Sequence, residues 1–151
     1  MGTDGNDREE AGRITILKGR SVVPGVKKGT ALVCTRALSA AGGIDPTSGI
    51  IIEARHPQKG ENVRKKILIF PNGKGSSGFS LIFHALSLTG NAPRAMIINR
   101  INSLSALAAV VANIPTIGGP FKDARNPIEI IQNGEKILVD ASKGEIYKLE
   151  D

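Results

Sequence analysis

The stretch Pro71-Asn72-Gly73-Lys74-Gly75-Ser76-Ser77-Gly78 gathers two hydroxyls, one ammonium and three glycines between the apolar run KILIF and the helix-like run SLIFHALSLTG. Glycines at 73, 75 and 78 let a backbone turn tightly and leave its N–H groups unobstructed. At a helix N-terminus those donors are unsatisfied and carry partial positive charge, which favours anions. Ser76 and Ser77 stand where the chain enters the helix. Such a serine either caps the helix, a contact worth about 1 kcal/mol, or points its hydroxyl at a bound anion. The residues alone leave both readings open. Lys74 is likewise either an anion contact or a solvated lysine.

Read literally, Gly73 to Gly78 also match G-x-G-x-x-G, the dinucleotide fingerprint. That fold places the loop after its first strand and an acidic residue about 20 residues later. Here about three strands precede the loop and the acid is missing, although Arg100 could meet a 2′-phosphate. A P-loop fails, because Leu68 stands where the first glycine of that motif belongs.

The surrounding charge is one-sided. The chain carries a net +6, and no acidic residue lies between Glu61 and Asp123, whereas Arg64, Lys65, Lys66, Lys74, Arg94, Arg100 and Lys122 do. This is either a solvated basic face or a field that attracts an anionic small molecule or an acidic partner surface. Nucleic acid is a poorer fit, since aromatic residues make up 3% of the chain and offer no stacking platform. No apolar run reaches the roughly 18 residues of a membrane span, and the first twenty residues are too polar for a signal peptide. A cytoplasmic domain is expected. One cysteine, Cys34, excludes an internal disulfide and a multi-cysteine metal site. It reads as a small buried residue in a strand.

The elements that must position the loop follow from turn signals and periodicity. Residues 1–12 read as a loose polar tail, and 13–151 as a single domain. RITILKG and GTALVCT read as strands, Ile50 to Glu53 as another, and Asp45-Pro46 as a turn. KILIF is a strand buried on both faces. The helix after the loop places Leu81, Ile82, Ala85, Leu86 and Leu88 at helical spacing, and Gly90-Asn91 suits its C-terminus. RAMIIN is a second buried strand, SLSALAAVVAN a second helix with Ser103 as N-cap, and IPTIG a third strand. This βαβαβ unit requires parallel strands with right-handed crossovers. The C-terminal segment closes in a hairpin around Ala141-Ser142-Lys143-Gly144. The fold class is α/β, β-rich at both ends around a β/α middle.

The ordered motifs GGIDPTSGIIIE, HPQKG, FPNGKGSSG and GNAPRAMIIN resemble the small subunit of the aconitase X family, from about Gly29 to Leu149. That family contains phosphomevalonate dehydratases and cis-3-hydroxy-L-proline dehydratases. The resemblance implies the swivelling β/β/α domain of aconitase-like enzymes. It also implies a hydro-lyase whose large subunit carries a 4Fe-4S iron–sulfur cluster and which this chain completes as partner. By the motif, Ser76 is the proton acceptor, and Gly75, Ser77, Lys74 and Gly78 hold an anionic substrate. His56 falls in a motif loop and is a further candidate, whereas His84 on the first helix reads as a surface or packing residue. The chain departs from the family at Ala40-Ala41, where a bulkier pair often precedes Gly-Gly, which bears on the substrate. A short connection after the second helix favours mevalonate 5-phosphate over cis-3-hydroxy-L-proline. The rival classes are a nucleotide-binding domain and a non-catalytic partner-binding domain that kept the fold.

Overall fold

The structure, a computed structural model, describes residues 13–149, so the expected tail at 1–12 lies outside the described residues. Among the described residues, ten strands and three α-helices follow the expected order, with differences in detail. Strands β1 (Arg13–Lys18), β2 (Arg20–Val23) and β3 (Val26–Val33) precede a short β4 (Leu38–Ser39). Next come β5 (Ile67–Phe70), the two-residue β6 (Gly73–Lys74), helix α1 (Gly78–Leu88) and β7 (Ala95–Ile98). Helix α2 (Ser103–Ala112), β8 (Thr116–Gly118), a short α3 (Pro127–Ile130), β9 (Lys136–Asp140) and β10 (Glu145–Leu149) complete the chain.

Eight strands form one sheet in the order β1-β10-β9-β3-β5-β7-β8-β2. The β3-β5, β5-β7 and β7-β8 pairings are parallel, and α1 and α2 are the crossovers between the last three strands. The flanking pairings are antiparallel, including the β9-β10 hairpin. Ile67 to Phe70 of KILIF are fully buried as expected, and alternation sends their side chains to opposite faces. Leu68 and Phe70 join Met96, Ile98, Phe79, Phe83 and Leu86 in a core under the helices. Ile67 and Ile69 join Ile97, Ile117, Ile137, Val139 and Ile146 in a second core on the other face.

Two sequence expectations are corrected here. Ile50 to Glu53 form no strand; Ile50 and Ile51 make only isolated bridges, to Asn62 and Ile44. Hydrogen bonds from Ile52 and Glu53 back to the Gly43 carbonyl hold this segment in an irregular loop instead. In α1 the buried stripe is Phe79, Ser80, Phe83 and Leu86, while Leu81 and Leu88 are exposed. The stacked rings of Phe79 and Phe83, 5.1 Å apart, claim the sheet-facing side and turn the two leucines outward. The helix ends as expected: Gly90 takes φ +76° and the Asn91 N–H donates to the Leu86 carbonyl.

Candidate functional site

Beyond the carboxyl end of β5 the chain leaves the large sheet and forms β6, which pairs in parallel with β4. This small two-stranded sheet carries the glycine loop. Gly75 has φ +109°, a conformation L side chains rarely adopt, and it lets the chain swing from β6 into α1. Gly78 packs under the Ala40-Ala41 turn: a Cβ there would lie 3.2 Å from that of Ala41. The Ala40-Ala41 turn thus abuts the loop.

Ser77 occupies the N-cap position of α1, with φ −57° and ψ −16°, but its side chain makes no capping hydrogen bond. The Ser76 hydroxyl accepts only a long 3.4 Å contact from the Gly78 N–H, and the Ser76 carbonyl accepts from the Phe79 N–H. Both serines are exposed. Neither hydroxyl is consumed as an ordinary cap, so both stand beside helix donors with bonding capacity to spare.

The loop is held from below. The Lys74 ammonium lies 2.7 Å from the Glu53 carboxylate, whose other oxygen accepts from the Ser39 N–H at 3.0 Å. Glu53 therefore bridges β4 and β6, the two strands that support the serines. Its partial burial works to raise its pKa, but the Lys74 hydrogen bond, the Ser39 amide and the lysine charge outweigh that and hold it below the ordinary carboxylate value. A second tether comes from Asn102, whose amide donates to the Gly73 carbonyl at 3.1 Å.

Asn102, not the expected Ser103, is the N-cap of α2. Its side chain accepts from the Ser105 N–H at 2.9 Å, and the Ser105 hydroxyl returns to the Asn102 N–H, completing a capping box. An asparagine answered by a serine is not the usual sequence signature of that motif, which hid the cap. Glu53 had no local signal at all, because its partners lie 14 and 21 residues away.

His56 is buried within its own motif loop. Its Nδ1 accepts from the Gln58 N–H at 3.0 Å, which leaves Nε2 to donate to the Arg36 carbonyl at 3.3 Å. Both ring nitrogens are thus occupied in shaping the loop. His84 is exposed on α1, as expected for a surface residue. Cys34, buried directly after β3, has its thiol pushed up to about 12 by burial and by the charges of Glu53 and Glu61. Among the described residues, no group of three or more His, Cys, Asp or Glu could hold a metal ion, and no helix is long and apolar enough to cross a membrane.

A family model described as the aconitase X swivel domain matches residues 16–148. The phosphomevalonate dehydratase small subunit of Thermococcus sibiricus is 42% identical over 130 residues, covering 86% of this chain and 95% of that one. Its counterpart from Methanocella arvoryzae is 38% identical over 128 residues, covering 85% and 95%. A crystal structure of Thermococcus kodakaraensis aconitase X in its holo-form superposes with a TM-score of 0.82 at 36% identity, covering 89% of this chain and 98% of that chain.

Proposed function

The chain belongs to the aconitase X swivel-domain family, and on that premise we propose that it is the small subunit of a phosphomevalonate dehydratase. In this reading it converts mevalonate 5-phosphate to anhydromevalonate phosphate together with a large subunit. The names of its relatives support that substrate. The observation that carries the reading is the start of α1: two exposed serine hydroxyls at an uncapped helix N-terminus, on a loop clamped by Lys74 and Glu53.

Dehydration of a β-hydroxy acid removes a proton from the carbon next to the carboxylate and the hydroxyl from the carbon beyond it. Ser76 takes that proton. A serine hydroxyl is a weak base at its ordinary pKa, so it must act as an alkoxide stabilised by nearby donors. The open N–H groups of the loop and the positive end of α1 supply that stabilisation. Ser77, Gly75 and Gly78 hold the substrate's carboxylate or phosphate through a hydroxyl and backbone amides. The Lys74 ammonium has three donors; one is spent on Glu53, and the others remain for an anion.

The iron–sulfur cluster that the family implies does not fit this chain. It needs about three or four thiolates, and this chain has one cysteine, buried and held as a thiol. We assign the cluster to the large subunit, together with assistance to the departing hydroxyl. The test is reconstitution. The complex of both subunits should dehydrate mevalonate 5-phosphate and leave cis-3-hydroxy-L-proline untouched, and this chain alone should do neither. Turnover of the proline substrate alone would refute the assignment.

A further inference from the structure

The outer face of the helix layer is unlike an ordinary protein surface. Helices α1 and α2 together contain no Asp, Glu, Lys or Arg. Leu81 and Leu88 on the first, and Leu107, Val110 and Val111 on the second, are all exposed. Leu81 is 68% and Leu88 74% exposed, so these are whole side chains in water rather than edges of the core. Monomeric soluble proteins rarely leave a large exposed apolar patch uncovered. Among the described residues, no element covers this face.

Two further features say what covers it. At the C-terminal ends of the two helices lies a cavity of about 270 Å³ bordered by Lys27, Ser87, Arg94, Ala112 and Pro115, so the apolar face has a cationic margin. Two copies of the chain placed face to face would bring those margins and a net +6 each together, which disfavours a homodimer. At the other end, Leu81 lies roughly 5 Å along the axis from Gly78, where α1 begins, so the patch runs up to the serine loop. A partner seated on the helices therefore reaches Ser76.

We propose that the exposed face of α1 and α2 is the docking surface for the large subunit, which meets it with an apolar patch bordered by carboxylates. This rests on the dehydratase reading above, and it explains why a base exposed in the isolated chain becomes part of an enclosed site only on assembly. Leu81 and Leu107 act as apolar contacts, Lys27 and Arg94 as the charged border. Exclusion of water by the border makes the apolar contacts count most.

The experiment is titration of the large subunit with purified small-subunit variants, with activity of each complex read alongside. Leu81→Glu and Leu107→Glu should each weaken association about 100-fold or more, because a charge is forced into a desolvated contact. The thermal midpoint of the free variants should stay near wild type, since both side chains are already exposed. Leu81→Ala with Val110→Ala, a pair that keeps helix propensity, should weaken it about tenfold and serves if a glutamate variant unfolds. Ser76→Ala should bind like wild type. Undiminished affinity of the leucine variants overturns the docking surface while leaving the serine reading intact. So does a free chain that is dimeric by light scattering and becomes monomeric with Leu81→Glu. Wild-type chain that binds no large subunit overturns both.

Discussion

The two helices that cover the sheet start in opposite ways. At α2 the start of the helix is capped: Asn102 caps it, Ser105 answers, and the cap's amide reaches across to Gly73. At α1 Ser77 stands at the N-cap position and makes no capping hydrogen bond, and Ser76 just before it accepts only the long contact from the Gly78 N–H. A missing cap forgoes about 1 kcal/mol, and a protein that builds a complete box at its next helix has the means to avoid that loss. The same residue types therefore serve stability at one helix and are kept free at the other. That contrast gives the serine loop physical grounds as a site, independent of any resemblance.

The comparison breaks most decisively at Ser76. In the assembled enzyme Ser76→Ala should lower kcat by about 10²-fold or more, as expected for loss of a proton acceptor, with stability nearly unchanged. Turnover like that of wild type would reduce the start of α1 to an idle helix end. A smaller effect belongs to the other helix. Asn102→Ala should cost about 1–2 kcal/mol in unfolding free energy, seen as a lower thermal midpoint, and should loosen the Gly73 tether. If instead it leaves the midpoint unmoved, the capping box is not the stabilising contact it resembles.

Glu53 sharpens the contrast through pH. Its folded pKa is depressed, so its contribution is present above the ordinary value of 4.5 and is lost as pH falls through the lower folded value. Melting curves of wild type and Glu53→Gln should differ at neutral pH and converge under acid. Curves that stay parallel down to acid would show the clamp to be without effect. The smallest change is expected for Ser77→Ala. With no cap bond to lose, it should shift stability by only a few tenths of a kcal/mol, within the range of ordinary surface substitutions, and act on KM for the substrate.

Most of the fold could be read from the sequence because its signals are local. KILIF and RAMIIN announce buried strands by continuous apolarity, and the glycine loop and the Gly90 terminus announce themselves by residue type. The misreadings share a cause. Leu81 and Leu88 look like core by spacing, yet which stripe faces the sheet was decided by Phe79 and Phe83, and periodicity cannot rank two apolar stripes on one helix. In the same way the serines were legible as residues at a helix start, but not their freedom from capping. That depends on backbone angles at Ser77. Glu53 was invisible because an ion pair across 21 residues has no sequence pattern.

The burial of Cys34 gives the chain a built-in clock. It has no tryptophan and a single tyrosine, so its own fluorescence reports little. Its one thiol, fully enclosed and with its pKa pushed to about 12, cannot react while the fold is closed. Alkylation of Cys34 therefore times the opening of the core around β3. Slower labelling once a second protein is added would measure, without any introduced probe, how much that protein steadies the chain.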